Sequence, residues 1–209
     1  MIIAPVNNVI VLPETKYISN ISSLVKLAAL QNVTSVHAED MVNIMGEVIS
    51  VPKSIGDEID LGGITTDDIR VGDIAIFSFQ VICDLMQREH EGELVYRNRL
   101  WYKDKEYFLA HIRNIYGVIR GEEIIMVNGY VMTKSFPESV IYTPATQKKE
   151  RGTVKAKVMH IGKPRKGNCQ LEVKSGDDVY FNPMIAQKYQ INNKPFCIIQ
   201  QGQILGIAE

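Results

Sequence analysis

Two stretches of this chain obey the same local rule. Val71-Gly72-Asp73-Ile74-Ala75-Ile76-Phe77 and Ser175-Gly176-Asp177-Asp178-Val179-Tyr180-Phe181 each place a Gly-Asp turn before a short apolar run ending in Phe. Glycine accepts the positive φ of a tight turn, and Asp can bond the turn's own backbone. The β-branched and aromatic run that follows suits a strand. Matching segments flank both copies, so the pattern reads as an internal duplication. Gly129 to Thr133 answers Asn8 to Leu12, Gly152 to Val158 answers Gly46 to Val51, Pro195 to Ile199 answers Glu106 to Leu109, and Gln203 to Ala208 answers Asn114 to Ile119. Gly46 to Gly72 spans 26 positions and Gly152 to Gly176 spans 24, so the strands are kept. The first unit's excess falls in two loops, where insertion is tolerated.

The expected fold class is therefore all-β: two tandem small β-barrels with long loops. The first spans 1–120, with an extended first loop and an inserted hairpin at about 84–105. The second spans 121–209, with a loop at 135–151. Gly121-Glu122-Glu123 lacks the composition of a free tether, so the two units are expected to pack closely. Within the first loop, Leu24, Leu27 and Ala28 share one helical face behind Ser22 or Ser23 as caps. That stretch suits a short amphipathic helix or a loop carrying an apolar patch.

With 209 residues, 45% of them hydrophobic and 22% charged, the chain can bury a core. A net charge of -1 gives no global field toward nucleic acid or anionic lipid. No run is long enough for a membrane span, and the first residues do not read as a signal peptide. Cys83, Cys169 and Cys197 form no C-x-x-C, which fits a reducing, cytoplasmic setting. His37, His90, His111 and His160 are isolated in sequence and have no metal-ligand spacing. No phosphate-cradling glycine motif or nucleophile elbow occurs, so neither cofactor nor catalytic residue is expected. Basic and aromatic residues mix at Arg97, Arg99, Trp101, Tyr102 and Lys103, a composition that suits single-stranded nucleic acid on a barrel face. The interleaved Glu89, Glu91, Glu93 and Asp104 speak for a solvated hairpin instead.

The second unit resembles the chaperonin-10 family of GroES-like co-chaperonins. The resemblance rests on Tyr130 to Lys134, Glu138 to Pro144, Lys148 to Val154, Gly176 to Phe181 and Ile204 to Glu209. The first unit looks like a diverged copy through Val9 to Leu12, Gly46 to Val51, Val71 to Phe77 and Tyr107 to Ile119. The resemblance implies a non-catalytic lid for a large ATP-driven chaperonin ring. Family members assemble as homo-oligomers and dock through an apolar tripeptide on a mobile loop. Its match here is Val140-Ile141-Tyr142, which on its residues alone reads as a barrel strand and is assigned to docking by the resemblance. Glu138 and Ser139 stand where the family commonly has glycines, and Tyr142 where it commonly has an aliphatic residue. In the first unit the corresponding loop carries Leu24, Val25 and Leu27. The family pairs first and last strands between neighbouring barrels. The candidates are Ile2-Ile3-Ala4 with Ile115 to Ile119, and Ile124 to Val127 with Ile204 to Ala208. The alternative is a ring-forming scaffold built from the same barrels without chaperonin docking.

Overall fold

The computed structural model describes residues 2–14, 45–56, 64–78, 81, 85–87, 94–96, 98–134, 153–164, 172–192 and 194–208. Every element with described bounds is a strand or a short 3-10 turn, so the chain is all-β as expected. In chain order the strands are β1 (Asn8–Pro13), β2 (Met45–Ser50), β3 (Ile74–Phe77), β4 (Leu85–Gln87), β5 (Leu94–Tyr96), β6 (Arg99–Tyr102), β7 (Lys105–His111) and β8 (Ile115–Arg120). There follow β9 (Glu123–Met126), β10 (Tyr130–Lys134), β11 (Val154–Ile161), β12 (Asp178–Phe181), β13 (Gln187–Ile191), β14 (Lys194–Gln200) and β15 (Ile204–Ile207).

The first sheet runs β6-β7-β1-β2-β3-β8-β9 and the second runs β13-β14-β10-β11-β12-β15. Removing β9 leaves the same order twice. The agreement reaches single residues. β1 shifts register against β2 between Ile10 and Val11, and β10 shifts against β11 between Met132 and Thr133. β3 shifts against β8 between Ile76 and Phe77, and β12 against β15 between Tyr180 and Phe181. Bulges redirect a strand, so repeating them at matched places repeats the curvature of the sheet.

These registers fix which positions correspond. Asn8 corresponds to Tyr130, Val48 to Val158, and Gly46 to Ala156. The expected match of Gly152 with Gly46 is thus out by four positions, and the match of Gly129 with Asn8 by one. The similar glycine spacings misled because the stretch before the Gly-Asp turn is longer in the first unit, which offsets most of the shift. The stretch at 84–105 is not one hairpin. β4 pairs with β5, whereas β6 pairs with β7 at the edge of the first sheet.

Each sheet turns one face to its own core. Val9, Val11, Val48, Ala75, Phe77, Phe108 and Ala110 gather in the first. Val131, Val158, Val179, Phe181, Cys197 and Ile199 gather in the second. Volume is exchanged between matched positions: Phe108 and Ala110 in one core correspond to Cys197 and Ile199 in the other. Such swaps keep the core filled at constant packing density.

Candidate functional site

The residues that the sequence singles out for docking are Val140, Ile141, Tyr142, Leu24, Val25 and Leu27. All six lie outside the described residues. What the structure does give is where their loops begin and end. The 15–44 stretch leaves from β1 and returns on β2, and the 135–152 stretch leaves from β10 and returns near β11. The two are therefore topologically equivalent connections. The base of the first is tight. Glu14 N–H donates to Met45 O at 3.2 Å, and Pro13 faces Gly46 across the ladder. A Cβ on Gly46 would lie 2.7 Å from Leu12 O, so only glycine closes that base.

The Gly-Asp turns hold the opposite end of these strands, and they match bond for bond. Gly72 has φ +89° and Gly176 has φ +95°. Gly72 N–H donates to Val48 O and Gly176 N–H to Val158 O, both at 2.9 Å. The Asp73 carboxylate accepts from Arg70 N–H at 2.8 Å, and the Asp177 carboxylate from Lys174 N–H at 2.8 Å. The units then diverge. Asp73 also accepts from Arg120 Nε and Nη2 at 2.8 Å, and that guanidinium reaches on to Asp68 O at 3.0 Å. Burial alone would raise the Asp73 pKa. The bonds from Arg120 and from Arg70 N–H outweigh it and hold the carboxyl below its ordinary value.

Between the two sheets lies a second apolar layer, which joins the units. Ile76, Tyr116 and Met126 meet Tyr130, Met132, Tyr189, Ile191 and Ile198 there. Three tyrosines order it. Tyr116 meets Tyr130 edge-on at 4.6 Å and Tyr189 at 5.9 Å between ring centroids. Buried phenols need partners, and they have them. Tyr189 Oη donates to Phe77 O at 2.6 Å, and Tyr130 Oη donates to Arg113 O at 3.1 Å while accepting from Gln200 Nε2 at 3.2 Å. Full burial pushes the Tyr189 phenol well above its ordinary pKa.

β9 belongs to the second half of the chain yet pairs with β8 of the first, from Gly117 opposite Met126 to Arg120 opposite Glu123. This corrects the expected pairings of Ile2 to Ala4 with Ile115 to Ile119, and of Ile124 to Val127 with Ile204 to Ala208. The β8 edge is already taken within the chain, because the two-residue turn Gly121-Glu122 brings the next strand directly alongside it. Val127 N–H donating to Tyr116 O at 3.0 Å and Asn128 Nδ2 donating to Ile112 O at 3.0 Å extend the seam.

Of the four histidines, His111 and His160 fall among the described residues. His111 accepts from Arg113 N–H at a 3-10 turn. His160 is held below its ordinary pKa by burial, against the opposing charge of Glu123. Among the described residues no group of His, Cys, Asp and Glu is arranged to hold a metal. No helix among them is long and apolar enough to cross a membrane.

Comparison with known families bears on residues 122–208. The model of the Cpn10 family, the Chaperonin 10 Kd subunit, matches residues 122–208. That range runs from β9 through β15. Residues 122–208 are thus similar to a chaperonin-10 domain. The match supports a chaperonin-10 relationship for the protein, and its all-β sheet agrees with that domain. No curated protein matches the chain. The tyrosine layer and the β8–β9 seam escaped sequence reading. The unbroken apolar runs in β10 and β14 were the available signal, since a strand buried on both sides loses its polar face.

Proposed function

We propose that this protein is a co-chaperonin, a non-catalytic lid that caps an ATP-driven chaperonin ring and assists protein folding. The chaperonin-10 match over residues 122–208 carries this reading. The repeated strand order supports extending it to a tandem arrangement, with one GroES-like barrel at 1–120 and another at 121–209. In this reading the two sheets are the products of an internal duplication.

The docking element is the 135–151 loop, with Val140, Ile141 and Tyr142 as the tripeptide that enters an apolar groove on the chaperonin. Leu24, Val25 and Leu27 form the corresponding element of the first unit. In this reading a loop carried between β10 and β11 orders on contact and releases again. Burying three large apolar side chains contributes about 2 kcal/mol each before ordering costs, too little for a durable complex from one loop. Several loops presented together bind by avidity, so the lid works as an assembly of several chains in the cytoplasm.

Limited proteolysis tests the loop assignment. The protein is digested alone and with a bacterial-type chaperonin plus ATP, and cleavage within 135–151 is followed by mass spectrometry. Protection that requires the chaperonin and ATP is the expected result. Equal cleavage with and without the chaperonin, under conditions where the two proteins co-sediment, would remove the docking role from this loop.

A further inference from the structure

One hairpin tip of the first sheet departs from its counterpart in the second. β6 and β7 meet in a two-residue turn, with Lys103 at φ +48° and Asp104 at φ +57°. Both central residues take left-handed φ, as two-residue hairpin turns of matching twist do. The equivalent tip joins β13 to β14, where Gln190 opposite Pro195 answers Trp101 opposite Glu106. Gln190 is exposed, which suits a polar side chain at a tip. Trp101 is 67% exposed, although tryptophan is highly buried on average.

The strand under Trp101 is firmly held. Arg99 and Trp101 share one face of β6, since side chains alternate along a strand. Arg99 Nη1 meets Glu106 Oε1 at 2.7 Å with both side chains largely buried, and the guanidinium lies 5.3 Å over the Phe108 ring. That pair caps Phe108, so Trp101, two residues further along, stands outside the core. Tyr102 beside it is 36% exposed, with Lys103 Nζ 5.5 Å from its ring centroid. Its counterpart Ile191 is 2% exposed, inside the layer that joins the units. Aromatic residues set in place beforehand lose little entropy on binding, and Trp and Tyr are the side chains on which binding energy concentrates.

Its location names the occupant. Val11 lies opposite Phe108, and from there β1 runs on to Pro13 alongside the start of β7 at Lys105. Pro13 faces Gly46, and Glu14 N–H donates to Met45 O, at the base from which 15–44 leaves and to which it returns. The Trp101 tip therefore stands at the loop-bearing end of the first sheet, beside that base. In a lid this is the end that meets the chaperonin. Lys103, Asp104 and Lys105 are exposed around the two rings, while Arg99 and Glu106 neutralise each other, so the tip is net positive.

We propose that Trp101 and Tyr102 form a second, preformed contact with the chaperonin, an inference that rests on the lid reading. The surface they meet is an apolar pocket rimmed by carboxylates, beside the groove that takes the loop. The loop orders on contact, whereas the tip arrives already ordered. The second unit has Gln190 and Ile191 at these places and lacks the contact, so the two units of one chain engage the chaperonin unequally.

Trp101 is the single tryptophan of the chain, so its fluorescence reports the contact directly. The full chain is mixed with a bacterial-type chaperonin plus ATP, any tryptophans of the chaperonin having been replaced by phenylalanine. Trp101 emission should move to shorter wavelength, and its quenching by iodide should fall. Trp101→Gln, which copies the second unit, should lower affinity about tenfold in co-sedimentation while circular dichroism and melting temperature stay at the wild-type values. Lys103→Glu should lower it about threefold at low salt and less at high salt. A wild type that binds while Trp101 stays open to iodide, or a Trp101→Gln variant that binds as tightly as wild type, would overturn this contact and leave the lid standing. A wild type that binds no chaperonin would overturn both. An emission shift that follows protein concentration without chaperonin would assign the tip to a second copy of the chain and overturn the proposal.

Discussion

Thr133 and Val11 occupy the same place in the two sheets, opposite Cys197 and Phe108, yet one carries a hydroxyl. Thr133 is fully buried, and its Oγ1 has no hydrogen-bond partner among the described residues. An unpartnered buried hydroxyl costs about 1–3 kcal/mol. Thr133→Val, which copies the first unit, should therefore raise stability by about 1 kcal/mol, read as a higher urea midpoint at an unchanged slope. The duplicated sheet thus supplies its own control at each position. The sequence made this pair visible only approximately. The run Tyr130 to Thr133 is legible as a strand, but matching Gly129 to Thr133 with Asn8 to Leu12 is out by one residue and sets Thr133 against Leu12, on the opposite face.

At the scale of elements, the Gly-Asp turns were legible because their chemistry is local. A positive φ and a carboxylate three residues from its donor need no tertiary knowledge. The clamp that Arg120 adds to Asp73 was not legible, because 47 residues separate them. Its consequence can be tested by pH. The Asp73 pKa is lowered in the folded chain. The carboxylate therefore contributes stability above the unfolded value of about 4, and that contribution is lost as the pH falls through the lowered folded value. Asp73→Asn should be less stable than wild type at pH 7, with the gap narrowing as the pH drops to 3. A gap of constant size would mean that the charge is not what holds the turn. The two candidate docking loops illustrate the converse limit. Their endpoints on β1–β2 and β10–β11 follow from the strands, whereas Val140 to Tyr142 drew their assignment from family resemblance and not from periodicity.

Across the whole molecule, the close packing expected from the short join at Gly121 takes the form of a shared layer rather than a hinge. β9 completes the first sheet, and the tyrosine layer seals it against the second. Tyr189→Phe keeps the ring contacts and removes the bond to Phe77 O, so it should cost about 1–2 kcal/mol. Urea unfolding followed by Trp101 fluorescence and by circular dichroism should give coincident transitions in wild type. Separate transitions would mean that the joint does not couple the units. The sequence revealed the two strand sets and concealed how they meet, since an apolar run does not say which of its faces meets an internal core and which an interface between units.

The most direct test of the lid reading is co-sedimentation with a bacterial-type chaperonin, with and without ATP, comparing wild type with Val140→Asp/Ile141→Asp. The account predicts ATP-dependent binding by the wild type and its loss in the double variant, since two carboxylates cannot enter an apolar groove without large desolvation cost. Binding that persists undiminished in the double variant would contradict the docking assignment at Val140 to Tyr142. Absence of wild-type binding to any chaperonin tested, the organism's own included, would contradict the lid and leave a ring-forming scaffold.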